Sequence, residues 1–251
     1  MPYFIYIVMF TSIVLSGLYI VFSKSTKPHI SLIFKILSSL SFFALSVASA
    51  LAVLGGIYGD ELLFIILMLA SVFVAFASDL FNGLTSDGLI LKKANKTKVN
   101  VASEIVFMAS LGLAIAASII LLGFSYYTLI FWLILLILFY YVNVAINKTD
   151  FGKNKTFVLI YGAFISFILA QSIGALIFNS VSDGSVNQIA LFLTIGYSFV
   201  YFSDIIKFND LFAVKKGKVN KKEEESSGYF DSAFYYIGML LIALSIAFIF
   251  F

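Results

Sequence analysis

Eight long apolar stretches alternate with shorter polar segments along the chain. A helix needs about 20 mostly apolar residues to cross the hydrocarbon core of a bilayer, and each stretch is close to that length. We therefore predict an all-α, polytopic membrane protein with eight transmembrane helices, forming a single integral membrane domain over residues 1–251. The predicted spans are residues 3–22, 31–54, 61–82, 102–123, 126–146, 156–178, 187–206 and 232–251.

Two polar features refine this pattern. The longest polar stretch is KKGKVNKKEEESSG at residues 215–228, and it predicts a charged loop that we place over residues 207–231. The first apolar stretch has no basic segment before it and is followed by lysines, which is the reverse of a signal peptide. We expect it to be retained as the first helix.

Composition supports a membrane protein and narrows its chemistry. The chain is 62% hydrophobic and 12% charged, whereas soluble domains carry about 25% charged residues. It has no cysteine and a single histidine, His29, in a polar segment. The chain therefore lacks the cysteines and histidines that thiolate chemistry, zinc sites and serine-histidine triads require. We expect no metal and no other cofactor, and any chemistry must use carboxylates, lysines, hydroxyls or amides.

The basic residues predict the orientation of the helices. All sixteen are lysines: Lys35 lies just inside predicted helix two, and the other fifteen follow predicted helices one, three, five and seven. Because lysines collect on the cytoplasmic side, both termini are predicted to be extracytoplasmic. We expect a multi-pass protein of a bacterial cell membrane. Anionic lipid next to this face accounts for the net charge of +3, so nothing points to nucleic acid. The lysines are Lys24, Lys27, Lys35, Lys92, Lys93, Lys96, Lys98, Lys148, Lys153, Lys155, Lys207, Lys215, Lys216, Lys218, Lys221 and Lys222.

Two aspartates lie late in apolar spans and in similar surroundings. Asp79 lies within VAFASDLFNGL at residues 74–84, and Asp204 lies within FVYFSDIIKF at residues 199–208. Their offset of 125 residues is close to half the chain. The same offset aligns a few other residues, which is consistent with two parallel four-helix repeats, residues 1–125 and 126–251.

The predicted helix directions place these aspartates at similar depth, in the cytoplasmic half. A carboxylate in a span is costly, so we expect Asp79 and Asp204 to face a common cavity, with the hydroxyls of Ser78 and Ser203 beside them. A structural alternative stays open, in which each aspartate caps a helix end or pairs with a lysine.

Two further acids lie near the predicted cytoplasmic starts of helices. Glu104 and Asp231 fit stabilisation of the starts of helices four and eight. Either acid is also a candidate for lining the same cytoplasmic cavity, and Glu104 is the stronger candidate.

Several motifs together resemble those of one family. They are Lys27-Pro28 before helix two, FASDL in helix three, FVYFSDIIKF in helix seven and AFYYIGMLLIAL in helix eight. In these motifs the chain resembles the YhhN-like membrane proteins, which include the lysoplasmalogenases. It departs from the family pattern where Ser78 replaces a glycine, where Gly238-Met239 replaces Ala-Gln, and where the fourth helix lacks a histidine.

The resemblance implies a lysophospholipid substrate and a hydrolase. The reaction would cleave the vinyl ether bond of a lysoplasmalogen to a fatty aldehyde and glycerophospho-ethanolamine or glycerophospho-choline. Protonation of the β-carbon leaves an oxocarbenium ion, so one carboxylic acid and one carboxylate suffice, much as in glycoside hydrolysis. We assign these two roles to Asp79 and Asp204, without deciding which is the acid. Candidate substrate contacts are Lys27 and Lys207 for the phosphate, and Tyr201, Tyr235 and Tyr236 for the cavity wall.

Two other functions stay open on the sequence. Duplicated helix sets with buried acids also occur in proton- or cation-coupled transporters. However, the only prolines are Pro2 and Pro28, so no span is interrupted by proline. A non-catalytic lipid-binding membrane protein is the third interpretation.

Overall fold

The computed structural model describes residues 3–22, 28–86, 96–146, 150–212 and 221–249. Over these ranges, eight helices are long and apolar enough to cross a membrane, and no strand is present. This confirms the predicted all-α class. The helices are α1 (Tyr3–Phe22), α2 (Pro28–Val53), α3 (Asp60–Ser86), α4 (Lys96–Leu122), α5 (Tyr126–Tyr141), α6 (Lys155–Asp183), α7 (Gln188–Phe212) and α8 (Lys221–Ser245).

The helices continue beyond the apolar spans at their polar ends. Helix α3 ends at Ser86, α7 ends at Phe212, and α8 already begins at Lys221, within the segment predicted as a loop. Apolar composition marks where a helix leaves the hydrocarbon core, but backbone hydrogen bonding can continue into water. The predicted spans therefore located the helices and underestimated their length.

The chain divides into two compact units, and unit 1 comprises Met1–Leu121 and Leu240–Phe251. Within it, α1 packs against α2, and α2 packs against α3. Two serine pairs join α3 to α4, because Ser71 Oγ donates to the Ser110 carbonyl oxygen over 2.9 Å and Ser78 Oγ to that of Ser103 over 2.8 Å. Since the higher number on α3 pairs with the lower number on α4, these two helices are antiparallel.

Unit 2 comprises Leu122–Met239. Within it, α5 packs against α6 and α6 against α7, the same sequence of neighbours as for α1, α2 and α3 in unit 1. Small residues allow close packing: a Cβ added at Gly162 would lie 2.7 Å from Phe139 Cδ1. One added at Gly238 in α8 would lie 2.7 Å from the carbonyl oxygen of Gly196 in α7. The prediction of two four-helix repeats stays a prediction.

Apolar side chains cover much of the outer surface. In both α1 and α5 only 17% of the span is buried within the protein. In α5, Leu133 and Ile137 remain 57% and 59% exposed. Soluble proteins rarely expose so much apolar surface, but it is the surface expected of a helix that faces lipid. The described helices are therefore those of a multi-pass integral membrane protein.

Candidate functional site

Asp79 is a buried carboxylate in the interior of α3. The helix continues beyond it to Ser86, so Asp79 does not cap a helix end. Its side chain is 8% exposed, and the hydroxyl of Ser39 in α2 donates to its Oδ2 over 2.8 Å. Burial of a carboxylate is costly unless hydrogen bonds compensate it, and Ser39 supplies one such bond.

Asp204 is the corresponding carboxylate of unit 2. It is 1% exposed, and α7 continues beyond it to Phe212. The phenol of Tyr161 in α6 donates to its Oδ2 over 2.8 Å. The ring of Tyr161 is itself held in place, because it packs against Phe208 with the ring centroids 4.3 Å apart. The packing of this ring therefore helps to position the hydroxyl that donates to Asp204.

The two units repeat one arrangement at these aspartates. In each, a hydroxyl on the second helix, α2 or α6, donates to an aspartate on the third helix, α3 or α7. The donors differ, since one is Ser39 and the other is Tyr161. Sequence reasoning found both aspartates and missed both donors. Ser39 is one of several buried serines of α2 and Tyr161 is one of fourteen tyrosines in the chain, so residue type alone could not single them out.

The serines that precede the aspartates were expected to place their hydroxyls beside the carboxyl groups, but they hydrogen-bond to other helices. Ser78 Oγ donates to the Ser103 carbonyl oxygen over 2.8 Å, and Ser203 Oγ donates to Asp231 Oδ1 over 2.6 Å. Consecutive residues of a helix point in different directions, so a serine and the aspartate after it face different neighbours. Ser78 joins α3 to α4, and Ser203 joins α7 to α8.

Glu104 and Asp231 do not stabilise helix starts, and that interpretation was wrong. Helix α4 begins at Lys96 and α8 at Lys221. The helix dipole stabilises a negative charge only within the first turn, and both acids lie beyond that turn. Glu104 is fully buried, and Asp231 is half-buried and accepts the hydrogen bond from Ser203. Each acid is therefore part of the helix packing in its unit.

Glu104 also lies on the same side of the α3–α4 pair as Asp79. Ser78 and Ser103 face each other across these antiparallel helices. Asp79 and Glu104 each follow one of these serines. One step along a helix rotates the side-chain direction about the helix axis, and in antiparallel helices viewed from one end the two rotations are equal and opposite. Both carboxyl groups therefore point to the same side of the helix pair. Unit 1 thus holds two buried carboxyl groups near one helix interface.

The predicted tyrosines have different surroundings. The hydroxyl of Tyr201 donates to the Leu135 carbonyl oxygen over 2.6 Å, which ties α7 to α5. Tyr236 is buried and Tyr235 is half-buried, and their rings are in edge contact with centroids 5.3 Å apart. Tyr201 is therefore a packing residue, whereas Tyr161, which was not among the predicted tyrosines, donates to a carboxylate.

Of the two lysines predicted to bind phosphate, the structure describes only one. Lys27 lies outside the described residues. Lys207 is half-buried on α7, one helical turn after Ser203, and so shares the face of α7 that is turned towards α8.

The described ranges contain no group of three or more histidine, cysteine, aspartate or glutamate side chains arranged to hold a metal ion. The reactive groups that the two aspartate sites offer are carboxyl and hydroxyl groups. Comparison with models of known families, with curated proteins and with solved structures finds no match to this chain. The resemblance to the YhhN-like proteins rests on the sequence motifs and stays a prediction.

Proposed function

We propose that this chain is a membrane hydrolase that cleaves the vinyl ether bond of lysoplasmalogens. The observation that carries the proposal is a buried carboxyl group inside a transmembrane helix of each unit, each receiving a hydrogen bond from a hydroxyl of the neighbouring helix. Buried ionisable groups in spans are costly and are usually functional. The motif resemblance specifies which function.

The chemistry needs no more than these groups. A carboxylic acid transfers its proton to the β-carbon of the vinyl ether, and the C=C electrons form the new C–H bond. The oxygen-stabilised cation that results is held by a carboxylate, as in glycoside hydrolysis. Water adds to the cationic carbon and loses a proton, and the hemiacetal then collapses to the fatty aldehyde and the glycerol hydroxyl. One water is consumed, and the acid regains its proton.

Asp79 and Asp204 are the carboxyl groups that we propose for these two roles. The hydroxyls of Ser39 and Tyr161 fix the orientation of each carboxyl group. A site of low dielectric strengthens the attraction between a carboxylate and the cation that develops in the transition state. Orientation and burial together favour this reaction within a span.

Transport is the less well supported alternative. Transporters of the repeat type bind ions where helices are broken in mid-membrane. Helices α3 and α7 run without interruption through Asp79 and Asp204. The carboxyl groups therefore lack the unwound backbone carbonyls that complete such ion sites.

Aldehyde release by the purified protein tests the proposal. The substrate is a defined 1-alkenyl-lysophospholipid in detergent, and the variants are Asp79→Asn and Asp204→Asn, which keep the side-chain shape. We expect each variant to lose at least about 100-fold in turnover, as for loss of an acid or base group. Asp60→Asn, an exposed acid on α3, is the matched control and should keep wild-type activity. Full turnover in either Asp79→Asn or Asp204→Asn would contradict the proposal.

A further inference from the structure

An apolar groove lies on the surface of unit 2, between α5 and α6. It has a volume of about 410 Å³, and its walls are formed by Leu136, Ile137, Tyr140, Tyr141 and Leu159. Pockets that hold small ligands have volumes of about 300–1,000 Å³. The reaction proposed above uses none of these residues, so what occupies the groove is a separate question.

The groove opens towards the hydrocarbon of the bilayer. Its residues belong to the apolar spans Tyr126–Val144 and Gly152–Ser182. Tyr141 is 59% exposed and Leu159 is 43% exposed, so the walls are not covered by other parts of the chain. Apolar surface at this depth of a membrane protein meets lipid chains. The lining therefore favours a hydrocarbon chain as the occupant.

A close helix contact fixes the walls of the groove. A Cβ added at Gly162 in α6 would lie 2.7 Å from Phe139 Cδ1 in α5, so the two helices are in tight contact at this level. Leu159 lies about one helical turn before Gly162, on the neighbouring part of the same helix surface. The groove therefore lies beside a fixed contact and exists before any ligand binds.

A lysine lies just beyond one end of the groove. Helix α6 begins at Lys155, whose side chain is exposed. Leu159 comes four residues later, so the two side chains share one face of α6 and are about 6 Å apart along its axis. Side chains on a helix lean towards its N-terminus, which turns Lys155 away from the apolar walls and towards the end of the span.

Two tyrosines lie at the same end of the helix pair. Helices α5 and α6 are antiparallel, because Thr128 contacts Gln171 whereas the later residue Phe139 contacts Gly162. The end of α5, at Tyr140 and Tyr141, therefore lies beside the start of α6. Tyrosines are enriched where a span meets the headgroups of the bilayer. The groove thus runs from the level of the headgroups into the hydrocarbon.

We propose that this groove binds an anionic phospholipid, with one acyl chain between α5 and α6 and the headgroup phosphate at Lys155. Charge decides the class of lipid. The apolar walls would admit a chain of any lipid, whereas a cation at the headgroup level favours a negatively charged one. This inference does not depend on the proposed reaction, because its residues and its ligand are different.

Lipid binding to the purified protein tests the role of Lys155. The probes are phosphatidylglycerol and phosphatidylcholine with identical acyl chains, titrated in detergent and counted on the protein by native mass spectrometry. We expect Lys155→Gln to weaken phosphatidylglycerol binding by about fivefold, the effect of one lysine next to anionic lipid, and to leave phosphatidylcholine binding unchanged. Lys153→Gln is the matched control, because this exposed lysine is close in sequence but does not share a face with Lys155.

A second pair of variants tests the groove itself. Leu159→Trp should fill the groove and weaken the binding of both lipids. Ile160→Trp changes the next residue of α6, which is exposed and does not line the groove, and should leave binding as in wild type. Thermal unfolding in lipid-free detergent should be the same for all four variants, since each changed side chain is exposed.

Three results would overturn the inference. The first is unchanged phosphatidylglycerol binding in Lys155→Gln or in Leu159→Trp. The second is an equal loss in Lys153→Gln, because the attraction would then come from the overall charge of this end. The third is a dimer of the lipid-free protein that Leu159→Trp dissociates, because a second copy of the chain would then cover the groove.

Discussion

The hydrogen bond from Tyr161 to Asp204 gives the sharpest test of how a buried carboxyl group is prepared for reaction. Tyr161→Phe removes the hydroxyl that donates to Asp204 Oδ2 over 2.8 Å and keeps the ring that packs on Phe208. A hydrogen bond to a charged group is worth about 1.5–3 kcal/mol. At about 1.4 kcal/mol for each factor of ten, its loss from the transition state lowers kcat by about 10- to 150-fold.

The assay is aldehyde release at saturating substrate, with thermal unfolding of each variant in the same detergent. Tyr161→Phe should lower kcat with little change in KM, because the phenol touches the carboxyl group and not the remote parts of the substrate. Tyr197→Phe is the matched control, since Tyr197 is a buried tyrosine of α7 in the same unit. An unchanged kcat in Tyr161→Phe, or an equal loss in Tyr197→Phe, would refute the reasoning.

Two further predictions concern the donor of unit 1 and the packing of unit 2. Ser39→Ala removes the hydroxyl that donates to Asp79, and kcat for aldehyde release should fall by about tenfold, the lower end of the same range; unchanged turnover would show that this bond does not prepare Asp79. Gly174→Val should destabilise the fold by about 1–3 kcal/mol, because a Cβ there would lie 2.8 Å from the backbone nitrogen of Thr128. Thermal unfolding measures it against Gly17→Val, whose added Cβ would meet nothing within 4 Å, and equal unfolding temperatures would contradict the packing argument.

The sequence predicted the spans well because lipid imposes a strong and local requirement. Each apolar stretch of about 20 residues must be a helix in a bilayer, whatever it packs against. The same reasoning singled out Asp79 and Asp204, since an acid inside such a stretch is conspicuous. Helix ends were less predictable. Glu104 and Asp231 seemed to mark helix starts only because α4 and α8 begin well before their apolar residues.

The partners of the aspartates could not be predicted, because they depend on the register between helices. Ser39 and Tyr161 come from the helix before each aspartate, and no local pattern distinguishes them from other serines and tyrosines on those helices. The neighbours Ser78 and Ser203 were the conspicuous hydroxyls in the sequence, yet helical rotation turns them towards α4 and α8. Which residue turns to which neighbouring helix is a property of the packed structure.

The central claim is that a buried aspartate protonates the vinyl ether, and hydrolysis in heavy water tests it most directly. The lysoplasmalogen is incubated with the protein in D₂O, and the aldehyde is trapped at once by reduction to the alcohol for mass spectrometry. Protonation of the β-carbon predicts one deuterium on the carbon next to the former carbonyl, with product lost in Asp79→Asn and in Asp204→Asn. An aldehyde without that deuterium, or undiminished product from either variant, would contradict the account.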